Sequence, residues 1–240
     1  MARPPRVARH FVFMPLVLPS ACKVNFVLNL LGRRPDGFHE LETLFFPVPL
    51  LDELRFEAAE RGVALTCSHP DLPVDGTNLV HRAATQWLAA SGLDRGVRIH
   101  LEKRLPLAAG LGAGSANAAT TLLGLNELFG HPLSRETLDT LAAGLGSDVN
   151  FFLQPHPALA FGRGERIEPL APFSVLQGRA LLLFHPGFGV PTPWAFRELA
   201  DFPTHRNGTP GRAAAVAREL AQGNLTQAVA GWYNALEAPV

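Results

Sequence analysis

The sequence predicts an α+β protein with two layers, a mixed and largely antiparallel sheet backed by helices. Residues 54–57 and 63–66 alternate between apolar and polar side chains, as half-buried strands do. Helical spacing dominates later, from about residue 115 onward. Strands followed by helix-rich segments favour this class over a doubly wound parallel sheet, which needs strict alternation of strand and helix.

The opening of the chain is β-rich. Residues 11–31 are extended and apolar, and a polar turn at residues 32–37 leads to a second strand-like segment at residues 38–46. A helix is expected next, with Thr77 as a possible N-cap and Gly92 at its end. Residues 97–101 then alternate again and predict a strand.

Residues 106–129 combine a glycine loop with a helix, and Ser134 is expected to cap the helix that follows. Residues 158–161 and 166–170 flank a predicted hairpin turn at residues 162–164. Unbroken apolarity predicts a buried strand at residues 181–184. From residue 194 the chain is expected to be mainly helical, with a loop at residues 204–212.

Charge and composition exclude several classes of protein. The 240 residues include 47% hydrophobic and 18% charged residues, which rules out a disordered tail. The 21 basic and 21 acidic residues cancel, so no general attraction to nucleic acid or to an anionic membrane is expected. No segment approaches the roughly 18 apolar residues of a membrane span. Any anion site must therefore be local.

The cysteines and the N-terminus bear on the compartment. Cys22 and Cys67 have no partners at zinc-ligand spacing, which favours a reducing, cytoplasmic location over a disulfide framework. Residues 3–22 imitate a lipoprotein signal, with arginines, an apolar stretch and a small-residue site. Because Pro15 and Pro19 interrupt the apolar stretch, an ordinary N-terminal strand is the preferred interpretation.

Lysine is rare in this chain. Only Lys23 and Lys103 are lysines among its 21 basic residues. A compact ammonium and a planar guanidinium differ chemically, so both positions are candidates for a site, although coding bias is an alternative explanation.

The glycine loop predicts an anion site. Gly110, Gly112 and Gly114 leave backbone N–H groups uncovered beside the positive end of the helix that starts near Ser115. The loop is not a Walker motif, because Gly-Lys-Ser/Thr is missing. The spacing of its glycines also matches the dinucleotide-binding fingerprint poorly. Close packing of helix on strand is the alternative use of the glycines.

The segment that contains the glycine loop resembles a motif of a known superfamily. The segment KRLPLAAGLGAGSANAA at residues 103–119 is similar to the second motif of the galactokinase, homoserine kinase, mevalonate kinase and phosphomevalonate kinase (GHMP) superfamily. Four more motifs resemble those of one branch, the 4-diphosphocytidyl-2-C-methyl-D-erythritol kinases, in the same order. They are SACKVN at 20–25, GRRPDGFH at 32–39, GSDV at 146–149, and HPG with PTP at 185–193.

The resemblance implies a two-lobed GHMP-kinase fold. Residues 1–153 would form the N-terminal ATP-binding lobe, which is similar to domain 2 of ribosomal protein S5. Residues 154–240 would form an incomplete C-terminal lobe, since the third, glycine-rich motif of the family is missing. The implied reaction is ATP-dependent phosphorylation of the 2-hydroxyl of the cytidyl substrate, in isoprenoid precursor synthesis. The alternative is a non-catalytic nucleotide-binding remnant or an inactive fragment.

The resemblance also implies roles for particular residues. Lys23 and Asp148 would form a catalytic pair. Lys23 would stabilise charge on the transferring phosphoryl group, and Asp148 would either deprotonate or only orient the acceptor hydroxyl. Asn25, Phe38 and His39 would bind substrate, Phe38 by stacking on cytosine and His39 by reading the edge of the base. ATP, with Mg²⁺, would be bound by Lys103, Pro106, Gly110, Leu111, Gly112, Ala113, Gly114 and Ser115.

Structural alternatives exist for several of these residues. Asp148 could be an ordinary turn residue, Phe38 a loop aromatic tucked into the core, and Lys103 a solvated charge at a strand end. Ser115 is interpreted as a helix cap whether or not it also contacts phosphate or magnesium.

Overall fold

The computed structural model describes residues 15–240, and a mixed seven-stranded sheet forms its centre. Residues 11–14 of the first predicted strand lie outside the described part. The strands are β1 (Leu16–Arg33), β2 (His39–Ala59), β3 (Gly62–Cys67), β4 (Gly96–Glu102), β5 (Ala158–Gly162), β6 (Arg166–Pro169) and β7 (Tyr233–Asn234). The helices are α1 (Leu79–Ser91), α2 (Ala113–Leu128), α3 (Arg135–Leu145), α4 (Thr192–Glu198), α5 (Pro203–Arg206), α6 (Arg212–Ala221) and α7 (Leu225–Ala230).

A long antiparallel hairpin of β1 and β2 organises the sheet. The strand order is β3-β4-β2-β1-β7, with β5 also paired to β2 and β6 to β5. Among the strands of residues 15–240, only β3 with β4 and β1 with β7 run parallel. The α+β class with a largely antiparallel sheet is therefore confirmed, and so is the β5–β6 hairpin around residues 162–164.

The two predicted strands within residues 38–57 form one continuous strand, because β1 pairs with β2 along almost its whole length. On its other edge, β2 pairs first with β5 and later with β4. Pro47 and Pro49 lie between these partners, and a proline has no N–H to donate to a neighbouring strand. The edge of β2 is therefore interrupted where the two prolines stand.

Helices α1, α2 and α3 cover the sheet and form the main core. Trp87, Phe56 and Leu122 are fully buried there. Helix α2 is apolar around most of its circumference, which is typical of a buried helix. A Cβ on Gly124 would lie 2.6 Å from the ring of Phe56, so this close packing requires glycine. The packing fixes the position of α2 and hence of its N-terminus.

A buried carboxylate attaches α6 to the sheet. Glu42 is 3% exposed and accepts hydrogen bonds from the N–H groups of Gly211 at 2.8 Å, Arg212 at 2.7 Å and Ala213 at 3.2 Å. Asn29 also donates to Glu42, at 2.9 Å. A negative charge is favourable at the positive end of a helix, so Glu42 holds α6 against β1 and β2.

The helix ends agree with the predictions except at two N-termini. Ser134 caps α3 and Gly92 ends α1 in the left-handed conformation, as expected. The N-cap of α1 is Asn78 rather than Thr77, because the Asn78 side chain accepts the N–H of Val80. The expectation that Ser115 caps α2 is wrong. Gly112 occupies the N-cap position and Ser115 is the third residue of the helix.

The predicted buried strand at residues 181–184 is also wrong. Leu182 and Phe184 are 92% and 91% exposed, and the segment has no regular secondary structure. Leu181 and Leu183 lie beside residues 46–50 of β2, where the prolines interrupt the strand edge. No strand among the described residues pairs with this segment, so its apolar side chains are not buried.

Strands β5 and β7 pair with β2 and β1, so residues beyond 153 contribute to the central sheet. The division into lobes at residue 153 stays a prediction. None of the helices in residues 15–240 is long and apolar enough to span a membrane.

Candidate active site

Every candidate site residue named from the sequence lines one large cavity. Its volume is about 1140 Å³, slightly above the roughly 300 to 1,000 Å³ of a typical ligand pocket. Among the described residues that line it, Asp148 is the one carboxylate. The cations that line it are Lys23, Arg33, Lys103, Arg163, Arg197 and Arg206. This charge distribution suits polyphosphate ligands.

The glycine loop presents unpaired backbone donors to the cavity. Gly110 and Gly112 have φ values of +72° and +69°, which suit glycine, and α2 begins directly after Gly112. The N–H groups of residues 110–115 donate no hydrogen bond to any described residue. Together with the positive end of α2 they form an anion-binding cradle. Pro106, Leu111 and Ala113 line the same cavity.

Ala108 is strained within this loop. Its φ of +51° is unusual for a residue with a Cβ atom. Its carbonyl accepts a hydrogen bond of 3.0 Å from the N–H of Val190, so residues near 190 support the loop. Strained backbone is common where a loop must hold one conformation for a ligand.

Lys23 connects β1 to the glycine loop. Its backbone N–H donates to Leu111 O at 2.9 Å, and its Nζ donates to Gly110 O at 2.9 Å and to Asn25 Oδ1. The residue is 6% exposed. Lys23 Nζ also lies 3.7 Å from Asp148 Oδ2, the pairing that the family resemblance implies. The lysine therefore joins the cradle to the cavity's carboxylate.

Asp148 and Asn25 complete this part of the cavity. Asp148 follows the end of α3 and its side chain is 31% exposed, so a ligand can reach it. Asn25 faces the same side of β1 as Lys23, and its Nδ2 donates to Thr43 Oγ1 at 2.8 Å. Protein contacts therefore hold both the amide oxygen and the amide nitrogen of the Asn25 side chain. The role of Asn25 in binding substrate stays a prediction.

Lys103 lines the cavity but is committed to a buried partner. Its Nζ donates to Asp52, and the side chains are 3% and 0% exposed. Asp52 also accepts the N–H groups of Arg104 and Leu105, both at 2.8 Å, and Asn117 Nδ2 at 3.0 Å. Contact between Lys103 and ATP stays a prediction, since the ammonium would have to share Asp52.

Sequence reasoning missed Asp52, although a signal was present. Asp52, Leu54 and Phe56 are alternate residues of β2 and all three are fully buried. A carboxylate on the buried face of a strand needs several donors. Asp52 finds them where the chain leaves β4 for the glycine loop and on α2, and so fixes both relative to the sheet.

Aromatic side chains form a further part of the cavity lining. Phe38 is 49% exposed in the loop between β1 and β2, which excludes a place in the core. The ring of His39 stacks on Phe196 of α4, with centroids 5.4 Å apart. Arg163 Cζ lies 4.7 Å from the centroid of Phe38. Neither Phe196 nor Arg163 was identified from the sequence.

The environment of His39 favours its neutral form. Burial lowers its pKa below the usual 6.5, and the positive charges of Arg33 and Arg206 lower it further. A neutral imidazole offers one donor and one acceptor, as recognition of a base edge requires.

Comparison with known proteins identifies the family. A profile of the GHMP kinases N terminal domain matches residues 78–155. The 4-diphosphocytidyl-2-C-methyl-D-erythritol kinase of Pelotomaculum thermopropionicum is 41% identical over 225 residues, which are 93% of this chain and 76% of the relative. The chain belongs to the 4-diphosphocytidyl-2-C-methyl-D-erythritol kinase family.

A solved structure supports the same family assignment. A crystal structure of 4-(cytidine 5'-diphospho)-2C-methyl-D-erythritol kinase is 38% identical, with a TM-score of 0.72, and the match covers 93% of this chain and 76% of that one. The kinase of a Synechococcus strain is 42% identical over 190 residues. That match covers 79% of this chain but only 60% of the relative, so the chain spans about three fifths of that relative's length.

Proposed function

We propose that this chain transfers the γ-phosphoryl group of ATP to the 2-hydroxyl of 4-diphosphocytidyl-2-C-methyl-D-erythritol. The observation that carries the proposal is the distance of 3.7 Å between Lys23 Nζ and Asp148 Oδ2 beside an unpaired backbone cradle. Phosphoryl transfer depends on positioning and charge stabilisation more than on covalent chemistry. The cavity offers an anion cradle, a buried cation and a carboxylate for these tasks.

Asp148 accepts a hydrogen bond from the acceptor hydroxyl and aligns its oxygen with the γ-phosphorus. As the new bond from oxygen to phosphorus forms, the bond between the γ-phosphorus and the β–γ bridging oxygen breaks, ADP leaves, and Asp148 takes up the hydroxyl proton. Lys23 pairs with Asp148 and stabilises the charge on the transferring phosphoryl group. Its bonds to Gly110 O and Asn25 Oδ1 hold the ammonium in place before substrate arrives. A cation that needs no reorganisation stabilises the transition state more than a mobile one.

ATP places its phosphates on the N–H groups of residues 110–115. Within residues 15–240 no group of three His, Cys, Asp or Glu side chains could hold a metal ion. Mg²⁺ is usually held by substrate phosphates with one or two protein oxygens, and Asp148 and the hydroxyl of Ser115 line the cavity as candidate oxygen donors. The ion would neutralise phosphate charge.

The cytidine base binds at Phe38 and His39. Phe38 supplies an exposed ring for stacking, and His39 supplies a neutral donor and acceptor for the base edge. Phe196 holds the imidazole by stacking on it, so the base edge meets a fixed partner.

The cytoplasm is the proposed compartment. Cys22 and Cys67 are free thiols, and burial raises the pKa of Cys22. A thiol that is buried and protonated is unreactive. Cys22 also lies in the buried middle of β1, which supports the strand interpretation over a lipoprotein cleavage site.

The test is a coupled assay of ADP release with direct detection of the phosphorylated product. The chain should phosphorylate the cytidyl substrate but not homoserine or mevalonate. Lys23→Ala should lower kcat about 10²- to 10³-fold, the usual loss for one preorganised stabilising group. Arg166→Ala, whose side chain is 69% exposed outside the cavity, is the control and should keep full activity. Binding of ATP without turnover would instead identify a non-catalytic remnant.

A further inference from the structure

Arg163 is a cation of the cavity that none of the proposed steps uses. It lies in the turn between β5 and β6. Gly162 and Gly164 adopt φ values of +75° and +112°, and Glu165 accepts the N–H of Arg163 at 2.6 Å. The backbone of the turn is therefore fixed, and it directs one long cationic side chain into the cavity.

The guanidinium of Arg163 is available to a ligand. It donates no hydrogen bond to any residue within 15–240, and its ion pair with Glu165 spans 3.9 Å. Its Cζ lies 4.7 Å from the centre of the Phe38 ring. An arginine stacked on an aromatic face keeps its N–H donors in the plane of the guanidinium, and these match phosphate oxygens in pairs.

The turn also reaches the proposed reaction centre. A Cβ on Gly164 would lie 3.5 Å from Asp148 Oδ1 and 3.6 Å from Ser147. Arg163 is thus next in sequence to a glycine that lies close to Asp148, while its guanidinium lies over the ring of Phe38. The turn therefore brings Arg163 near both the proposed base site and the carboxylate.

We propose that Arg163 binds the diphosphate of the cytidyl substrate and thereby determines specificity for a nucleoside diphosphate. This inference rests on the proposed function, in which a diphosphate links the cytidine at Phe38 to the hydroxyl at Asp148. Arg163 is therefore a binding residue of the acceptor and not of ATP.

The test compares the affinities of CDP and cytidine, measured by calorimetry in the wild type and in Arg163 variants. Arg163→Ala should weaken CDP about 10- to 100-fold, the effect of losing hydrogen bonds from a charged donor. Its affinity for cytidine should change less than about threefold. Arg163→Lys keeps the charge without the paired donors, so its CDP affinity should lie between those of the wild type and Arg163→Ala. Arg166→Ala, in the same hairpin with its Cζ 5.8 Å from the Phe161 ring, should behave as wild type.

Three outcomes would overturn the inference. An unchanged CDP affinity in a variant with wild-type thermal stability would show that Arg163 does not bind the diphosphate. Equal losses for CDP and cytidine would show that Arg163 only orients Phe38. A wild type that binds neither ligand would reject the proposed function as well, and this result separates the two failures.

Discussion

Gly112 determines how closely the glycine loop approaches the catalytic lysine. A Cβ on this residue would lie 3.1 Å from Lys23 Cε and 3.1 Å from the ring of Phe152, and its φ of +69° disfavours any other residue. Gly112→Ala should therefore displace the ammonium, lower kcat at least tenfold and destabilise the fold by about 1 to 2 kcal/mol. Steady-state kinetics and urea unfolding would measure the two effects.

The matched control is Gly144→Ala. Gly144 lies in α3, and a methyl group added there would have no atom within 4 Å. Alanine should therefore stabilise the helix by up to about 1 kcal/mol and leave kcat unchanged. If Gly112→Ala kept full activity, close contact between the loop and Lys23 would not matter for the reaction.

His39 should give cytidine binding a characteristic pH dependence. Its pKa is lowered from 6.5 by burial first and by Arg33 and Arg206 second. The neutral form therefore persists below pH 6.5, and base binding should decline only as the pH falls through the lowered pKa. The folding stability that His39 contributes is fully present above pH 6.5, and it is lost as the pH falls through the lowered pKa. Calorimetric CDP titrations from about pH 5 to 8 would show the decline in binding, and His39→Gln would lack it. Tighter binding at low pH would mean that the protonated ring is the binding form.

Phe38 should matter for one ligand and not for the other. Stacking on an aromatic ring contributes roughly 1 to 3 kcal/mol, so Phe38→Ala should weaken the cytidyl substrate about 5- to 150-fold. ATP affinity should not change, because Phe38 makes none of the contacts that hold the glycine loop. Equal losses for both ligands would instead indicate that the variant disturbs the fold.

At the scale of elements, Asp52 fixes the junction of β2, β4 and α2. Asp52→Asn would leave the buried ammonium of Lys103 without its counter-ion, which should cost about 3 to 5 kcal/mol of folding free energy. The double variant Asp52→Asn with Lys103→Met removes both charges and should recover part of that loss. Urea unfolding measures all three proteins. A single variant as stable as wild type would mean that water already screens the pair.

Local sequence signals predicted the helix ends well, because caps depend on neighbouring residues. Ser134 and Gly92 are examples, but the predicted N-cap of α1 was wrong by one residue and that of α2, Ser115, by three. The continuity of β2 could not be predicted in the same way, since it depends on pairing with β1. The exposure of residues 181–184 depends likewise on whether another strand pairs with them.

The residues of the site divide likewise into those that a sequence motif indicated and those that only the folded structure revealed. Lys23 and Asp148 lie 3.7 Å apart although 125 positions separate them, and only the resemblance to a family suggested this pairing. Asp52, Arg163 and Phe196 carried no motif. Their roles come from burial, a turn and a short helix, which are properties of the folded chain.

At the scale of the whole molecule, charge is balanced overall but not evenly distributed. The chain has zero formal net charge, yet the described lining of its cavity carries six cations and one carboxylate. A focused positive field of this kind attracts anionic ligands without causing general binding to polyanions. Composition alone could indicate only that an anion site must be local.

The irregular segment at residues 180–189 makes this chain susceptible to limited proteolysis. Its backbone forms no backbone-to-backbone hydrogen bond within the part of the chain that the structure describes, and Phe184 is 91% exposed. Chymotrypsin should therefore cut there first, whereas the sheet should resist. The two pieces should remain associated on gel filtration, because Glu42 still binds the start of α6 and β7 still pairs with β1. A nicked protein of unchanged size would thus show that the chain can be cut in two while the sheet, which contains strands from both pieces, stays intact.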